Sequence, residues 1–342
     1  MKFFNRCLSW AISKAKKSKL IQNLVEKPIA VGQLPHMGIF VDSQNHTHIL
    51  YQNLREIIKP GSTNTKPVDI NEAFCARKLK EACLDIESIL PLLHAAGQKL
   101  ENAAILEIGC DIGCFCYALA KHKPAQITGS DTVIYKSSST NEEQQSIQKS
   151  LNNKRNIVAH IAQCNDVVFK EDDICNSALP SNTFDIVFSN DVLEHLSDPQ
   201  SAFVHINRIL KLGGIAIHKY NPFFAINGGH SACTLDFLWG HVRLSSDDFV
   251  KYIEQIRPQE QETAKAFYFH GLNRMSLQDM KNFSVKAGLE LLGCLQIGKE
   301  QTMRMLDADI WKECSAQYSN IAMEDLFSYR VVVVQKKSTL VI

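Results

Sequence analysis

The chain has 342 residues, of which 45% are hydrophobic and 21% charged, an ordinary composition for one large or two smaller globular domains. A net charge of +1 gives no global field toward nucleic acid, which is not expected as a partner. Eleven cysteines, odd in number and without a C-x-x-C pair, exclude a secreted disulfide scaffold and fit reduced thiols in the cytoplasm.

The first stretch, MKFFNRCLSWAISKAKKSKL, spaces Phe3, Phe4, Cys7, Leu8, Ala11, Ile12 and Ala15 as one helical face, with Lys14, Lys16, Lys17 and Lys19 following. This basic amphipathic pattern fits a helix packed on its own protein, or peripheral contact with a membrane surface through residues 1–20. It lacks the features of a signal or transit peptide. No run approaches the roughly eighteen apolar residues needed to span a bilayer. Residues 1–68 are expected to form a helical N-terminal extension, with KPGSTNTKPVD (Lys59 to Asp69) as a linker.

A domain is expected over 69–338. Ile70, Phe74, Leu79, Ala82, Ile86 and Leu90 mark a helical face that Pro91 kinks or ends. AAILEIG reads as a buried strand and FCYALAKH as the start of a helix. AQITGSD is a second strand, followed by a polar helix around TNEEQQSIQKSL. VVFKEDD and FDIVFSN give the third and fourth strands. DPQSAFVHINRILKLGG is a helix with Ala202, Ile206 and Leu210 inward, and GIAIHKY is the fifth strand. This alternation argues a doubly wound α/β sheet.

Residues 221–274 then exceed any ordinary β–α connection. They are rich in aromatic residues, which fits a cap over a substrate, a small satellite core, or both. MSLQDMKNFSVKAGL restarts the fold with a capping box at Ser276 and Asp279. LELLGCLQIG and YRVVVVQKK are two last strands around a helical insertion, closing one edge as a mixed sheet.

The strand-to-helix turn ILEIGCDIGCFC holds the chemistry. A dinucleotide loop needs glycines at the first, third and sixth positions of G-x-G-x-x-G, and here Asp111 and Cys114 replace two of them. Aspartate would also face a pyrophosphate. Cys110, Cys114 and Cys116 lack the spacing and ligand number of a zinc site, so no metal is expected there. A helix N-terminus suits a carboxylate, and acids with loop carbonyls suit an ammonium. Methionine has both ends.

ILEIGCDIG resembles the first motif, h-h-[DE]-h-G-x-G-x-G, of class I S-adenosylmethionine-dependent methyltransferases, with Asp111 at the central glycine. The resemblance runs from about Ala103 to Lys337. EDDICNSALPSNTFDIVFSNDVLEHLSDP resembles the family's D-x(10)-F-D-h-h segment and its l-E-H-l-x-D-P turn, and RILKLGG resembles R-h-L-K-P-G-G with Leu212 for proline. It implies a Rossmann-like, mostly parallel seven-stranded sheet with an antiparallel last strand, and S-adenosylmethionine as cofactor. Glu107, Gly109, Asp111 and Gly113 would then cradle methionine. Asp131 would take the ribose hydroxyls, Asp173 and Ile174 would meet adenine, and Asn190 would reach the cofactor from the fourth strand.

Imidazole changes charge near neutrality, so His195 after the fourth strand is the leading candidate base, with His230 as a second catalytic candidate. Gly228 and Gly229 allow a tight turn that aims His230 inward. His218, Asn221, Trp239, His241 and Arg243 are the substrate-side candidates. The expected activity is methyl transfer to a small-molecule, glycan or lipid-linked acceptor at oxygen. DVLEH also resembles the E-x-x-E-H metal-binding segment of ubiquinone-biosynthesis O-methyltransferases, which keeps open a metal-assisted enzyme using Asp191, Glu194 and His195. A non-catalytic cofactor-binding scaffold is the third alternative. The expected location is cytoplasmic, with or without membrane contact.

Overall fold

The computed structural model describes residues 31–63, 69–132 and 141–338. Strands β1 (His36–Val41) and β2 (Thr47–Tyr51) form an antiparallel hairpin that pairs Ile39 with Ile49, and the short helix α1 (Leu54–Ile58) follows. Asp42 closes the hairpin turn by accepting the amides of Gln44 and His46, both at 2.9 Å. An all-helical extension is therefore corrected within 31–63, where alternation in HMGIFV and THILY places Phe40 and Leu50 on the buried side. The basic stretch of residues 1–20 lies outside the described residues.

Helix α2 (Glu72–Ala95) starts on Asn71, whose side chain accepts the Phe74 amide, and continues through Pro91. Proline removes one donor near the end of the helix, while Leu92 and Leu93 are buried and hold the last turn. Next come β3 (Ala104–Ile108), α3 (Cys114–Ala120), β4 (Gln126–Asp131), α4 (Asn141–Ala162), β5 (Val167–Glu171) and β6 (Phe184–Asn190). Helix α5 (Pro199–Ile209) leads directly into β7 (Leu210–Tyr220). The helix stops one residue earlier than its apolar period suggests because Leu210 turns extended and pairs with Phe184.

Strands β8 (Leu289–Ile297) and β9 (Arg330–Lys337) complete a seven-stranded sheet of order β5-β4-β3-β6-β7-β9-β8, in which only β9 runs antiparallel to its neighbours. The chain leaves β3 toward β4 and β5, then returns to β6 on the other side. This reversal opens a crevice at the carboxyl ends of β3 and β6, where such sheets bind ligands. One face is covered by α2, α3 and α4, with Ile105, Phe188 and Ile217 inward. The opposite face is covered by α5 and by the helix Leu277–Lys286, with Leu106, Val187 and Ala216 inward.

A second core stands beside the sheet. Phe223, Phe224, Trp239, Phe249 and Tyr252 of the long connection pack with Phe40, Leu50, Leu54 and Ile58 of the N-terminal segment. Ile310, Cys314 and Leu326, from the insertion before β9, complete it. The aromatic run is thus a satellite core shared by three chain segments. Among the described residues no helix is long and apolar enough to cross a membrane.

Candidate active site

The turn after β3 is built to bring backbone close to a ligand. Gly109 has φ +70°, and a Cβ there would lie 2.3 Å from Val192 Cγ2. Gly113 has φ +81°, and a Cβ would lie 2.6 Å from the Phe169 ring. Asp111 itself sits at φ +44°. This left-handed backbone explains why the position is glycine in the family motif, and aspartate is among the residues that adopt it. The Asp111 amide donates to Asp131 Oδ2 at 2.7 Å, tying the loop to the end of β4. Arg155 from α4, which nothing in the polar run around it singles out, donates from Nε to the Asp111 carbonyl at 2.9 Å. Its guanidinium lies 4.1 Å over the Phe169 ring, so arginine and ring brace the turn from behind.

Four carbonyl-end positions surround this turn: Glu107 in β3, Asp131 ending β4, Asp173 after β5 and Asn190 ending β6. Asp131 is half-buried. Burial raises its pKa, the Asp111 amide opposes that, and the Asp111 carboxylate adds to it. Glu107 corrects its expected role. It is buried beneath the turn, accepts the Cys116 thiol at 2.9 Å, and burial pushes its pKa up to about 8. It supports the loop rather than presenting a carboxylate. Asp173 caps the next turn through the Cys175 amide at 3.0 Å, and Ile174 has its side chain in the core beside the sheet.

The turn after β6 carries the second cluster. Val192 packs on Gly109, which places Glu194 and His195 just beyond the loop. Glu194 is buried, and its Oε1 accepts the Asn221 amide at 3.0 Å, while Oε2 has no hydrogen-bond partner. Burial, then the Asp191 charge, push the Glu194 pKa up to about 8. Asp191 Oδ1 accepts Asn221 Nδ2 at 2.9 Å and Arg330 Nη2 at 3.2 Å. His195 donates Nδ1–H to the Gly271 carbonyl and stands edge-on to Phe267. His230 stacks on the other contact of that ring, 3.5 Å between centroids.

Asp191 and Glu194 thus both turn to Asn221, while His195 turns to the Gly271 carbonyl. Among the described residues no three His, Cys, Asp or Glu side chains are set to hold a metal. Four substrate-side expectations are corrected by burial and partners. His218 is enclosed within β7, with Nδ1 2.7 Å from Ser189 Oγ. Trp239 is fully buried in the second core and donates to the Leu326 carbonyl. His241 is equally buried on the Phe223 carbonyl. Arg243 is held by Glu313 at 2.7 Å. Asn221 stays at the site, through Glu194, Asp191 and Arg330. Phe267 and Arg330 belong to the cluster too, although their sequence surroundings show only aromatic richness and a strand end.

A family model described as a methyltransferase domain matches residues 106–218, from β3 to near the end of β7. An uncharacterized methyltransferase of Schizosaccharomyces pombe is 29% identical over 119 residues, which is 34% of this chain and 38% of that protein. The chain thus spans well under half of that relative's length. Among solved structures, an S-adenosylmethionine-dependent methyltransferase from Mesorhizobium loti is similar at 14% identity, covering 75% of this chain and 99% of that one with a TM-score of 0.43. The YcgJ protein of Bacillus subtilis is similar at 14% identity, covering 76% and 97% with a TM-score of 0.39. The sheet order, the glycine turn seated on Val192 and the family match over the same strands agree: residues 106–218 carry a methyltransferase domain of the class I fold.

Proposed function

We propose that the protein transfers a methyl group from S-adenosylmethionine to an oxygen of a small-molecule, glycan or lipid-linked acceptor, with His195 as the base. The residues fit that cofactor: Gly109 and Gly113 sit where any Cβ would clash, and Asp131 offers a half-buried carboxylate at the next strand end. Asp131 would hold the ribose hydroxyls through charge-assisted bonds, and Asn190 with the Asp173 turn would line the remainder. When bound, the cofactor supplies a methyl group already activated by a positive sulfur. The chain contributes binding, alignment and a proton acceptor.

The observation that carries the choice of base is the tautomer. His195 gives its Nδ1 proton to a backbone carbonyl, so Nε2 keeps the lone pair on an exposed ring. His230 is the opposite case and its catalytic role changes accordingly. Its Nδ1 accepts the Ala232 amide at 3.2 Å, leaving Nε2–H as a donor, and burial pushes its pKa down to about 4. We assign it to orienting the acceptor. Incubating the protein with methyl-labelled cofactor and small-molecule extracts tests the reading. Transfer that falls with His195→Asn while cofactor affinity holds supports it. Tight cofactor binding with no labelled product from any extract would instead favour a scaffold.

The proposed setting is the cytoplasmic surface of an anionic membrane. The outer face of the β1–β2 hairpin exposes Met37 (53%), Ile39 (61%), Val41 (39%) and Ile49 (40%), directly after the lysine-rich N-terminal stretch. An apolar face that follows basic residues in sequence suits anionic lipid. Co-sedimentation of the full chain with anionic and neutral vesicles decides this: binding to the anionic set that falls in an Ile39→Asp/Ile49→Asp variant supports contact, and equal soluble fractions refute it.

A further inference from the structure

Lys59 follows α1, in the N-terminal segment, yet its Nζ reaches 170 residues along the chain to the Gly229 carbonyl at 3.3 Å. It is half-buried. Among the described residues no carboxylate lies within ion-pair distance of it. Gly229 precedes His230 and packs against the Asn221 carbonyl, which puts Lys59 on the acceptor side of the candidate site, within the field of Asp191, Glu194 and Arg330.

Counting charge in that cluster gives a surplus. Arg330 and Asp191 neutralise one another at 3.2 Å. Glu194 is buried on Asn221, and burial favours its protonated form. His230 is neutral, because burial depresses its pKa. Lys59 is left as a cation with one long bond to a carbonyl, three donors and little water. Burial pushes its pKa down, and the Asp191 charge opposes that without pairing with it. A partly desolvated ammonium without a counter-ion is costly, and a ligand anion removes the cost. The neighbouring His230 Nε2–H supplies a second donor of the same polarity.

We propose that Lys59 binds an anionic group, carboxylate or phosphate, carried by the methyl acceptor. This rests on the methyl-transfer reading for the name of the ligand, but the anion site itself is measurable without turnover. Calorimetry on protein saturated with S-adenosylhomocysteine, titrated separately with inorganic phosphate and with acetate, is the test. Saturable binding of one of them is expected, weakened about tenfold or more in Lys59→Met and kept within about threefold in Lys59→Arg. Tighter phosphate identifies a phosphoryl group, and tighter acetate a carboxylate. Unchanged affinity for S-adenosylhomocysteine and an unchanged melting temperature show that the Met variant is folded. Equal anion binding by wild type and Lys59→Met, or no saturable binding by wild type, overturns the proposal. Failure of methyl transfer in the labelled-extract experiment would instead overturn the reaction and leave the anion titration as it stands.

Discussion

At the scale of single residues, the loop motif was readable because its demands are local. Glycines at 109 and 113 follow from backbone approach, and Asp131 follows from the end of a strand. Asp131→Ala is expected to weaken cofactor binding about ten- to a hundredfold by calorimetry. His195→Asn is expected to lower kcat about a hundredfold or more, with cofactor affinity retained. Glu194 gives a stability signature. Its pKa stands near 8 against an ordinary 4.5, so the folded protein holds a proton that the unfolded chain has lost between those values. The stabilising contribution is whole below pH 4.5, declines as pH rises toward 8, and levels off above it. Glu194→Gln, which keeps the carbonyl that receives Asn221, is expected to gain about 2–4 kcal/mol on wild type between pH 5 and pH 8 in urea melts. What the sequence hid were partners. Trp239, His241 and Arg243 have the chemistry of a binding site, and only packing reveals that Leu326, Phe223 and Glu313 already occupy them. Lys59 was hidden for the reverse reason: a lysine in a turn-rich linker carries no local sign of the Gly229 carbonyl.

At the scale of elements, strand and helix order was legible from periodicity, and the errors lie where tertiary contacts override it. Helix α2 passes Pro91 because the buried pair after it holds the last turn. The β1–β2 hairpin is hard to read because its exposed face is also apolar, so Met37, Ile39 and Val41 blur the alternation that Phe40 would show. The hairpin segment is fastened to the long connection by an ionic clamp. Arg55 of α1 makes a bidentate pair with Glu260, at 3.0 and 2.8 Å, and Arg257 joins the same carboxylate. Burial alone would raise the Glu260 pKa, but the Arg55 and Arg257 bonds bring it down to about 2. The clamp is therefore fully present above pH 4.5 and is lost as pH falls toward 2. Glu260→Gln is expected to cost about 3 kcal/mol at pH 7 and almost nothing at pH 2, read from denaturant midpoints.

At the scale of the whole molecule, the sheet and the second core meet at the candidate site. The N-terminal segment contributes Leu54 and Ile58 to that core and Lys59 to the acceptor side, so residues 31–63 are part of the working unit rather than an appendage. Leu54→Ala is expected to destabilise the protein by about 2–5 kcal/mol, as a fully buried leucine does. Composition could not show this, because the three segments that share the core are far apart in sequence and each is too short to form one. In the proposed reading the turn from Gly109 to Gly113, with Asp131, holds S-adenosylmethionine. Titration calorimetry with S-adenosylhomocysteine tests it most directly. One saturable site per chain is expected, abolished by Gly109→Val, in which the side chain meets Val192, and weakened in Asp131→Ala. A folded wild-type protein that takes up no S-adenosylhomocysteine, or one whose affinity is the same in both variants, would contradict it.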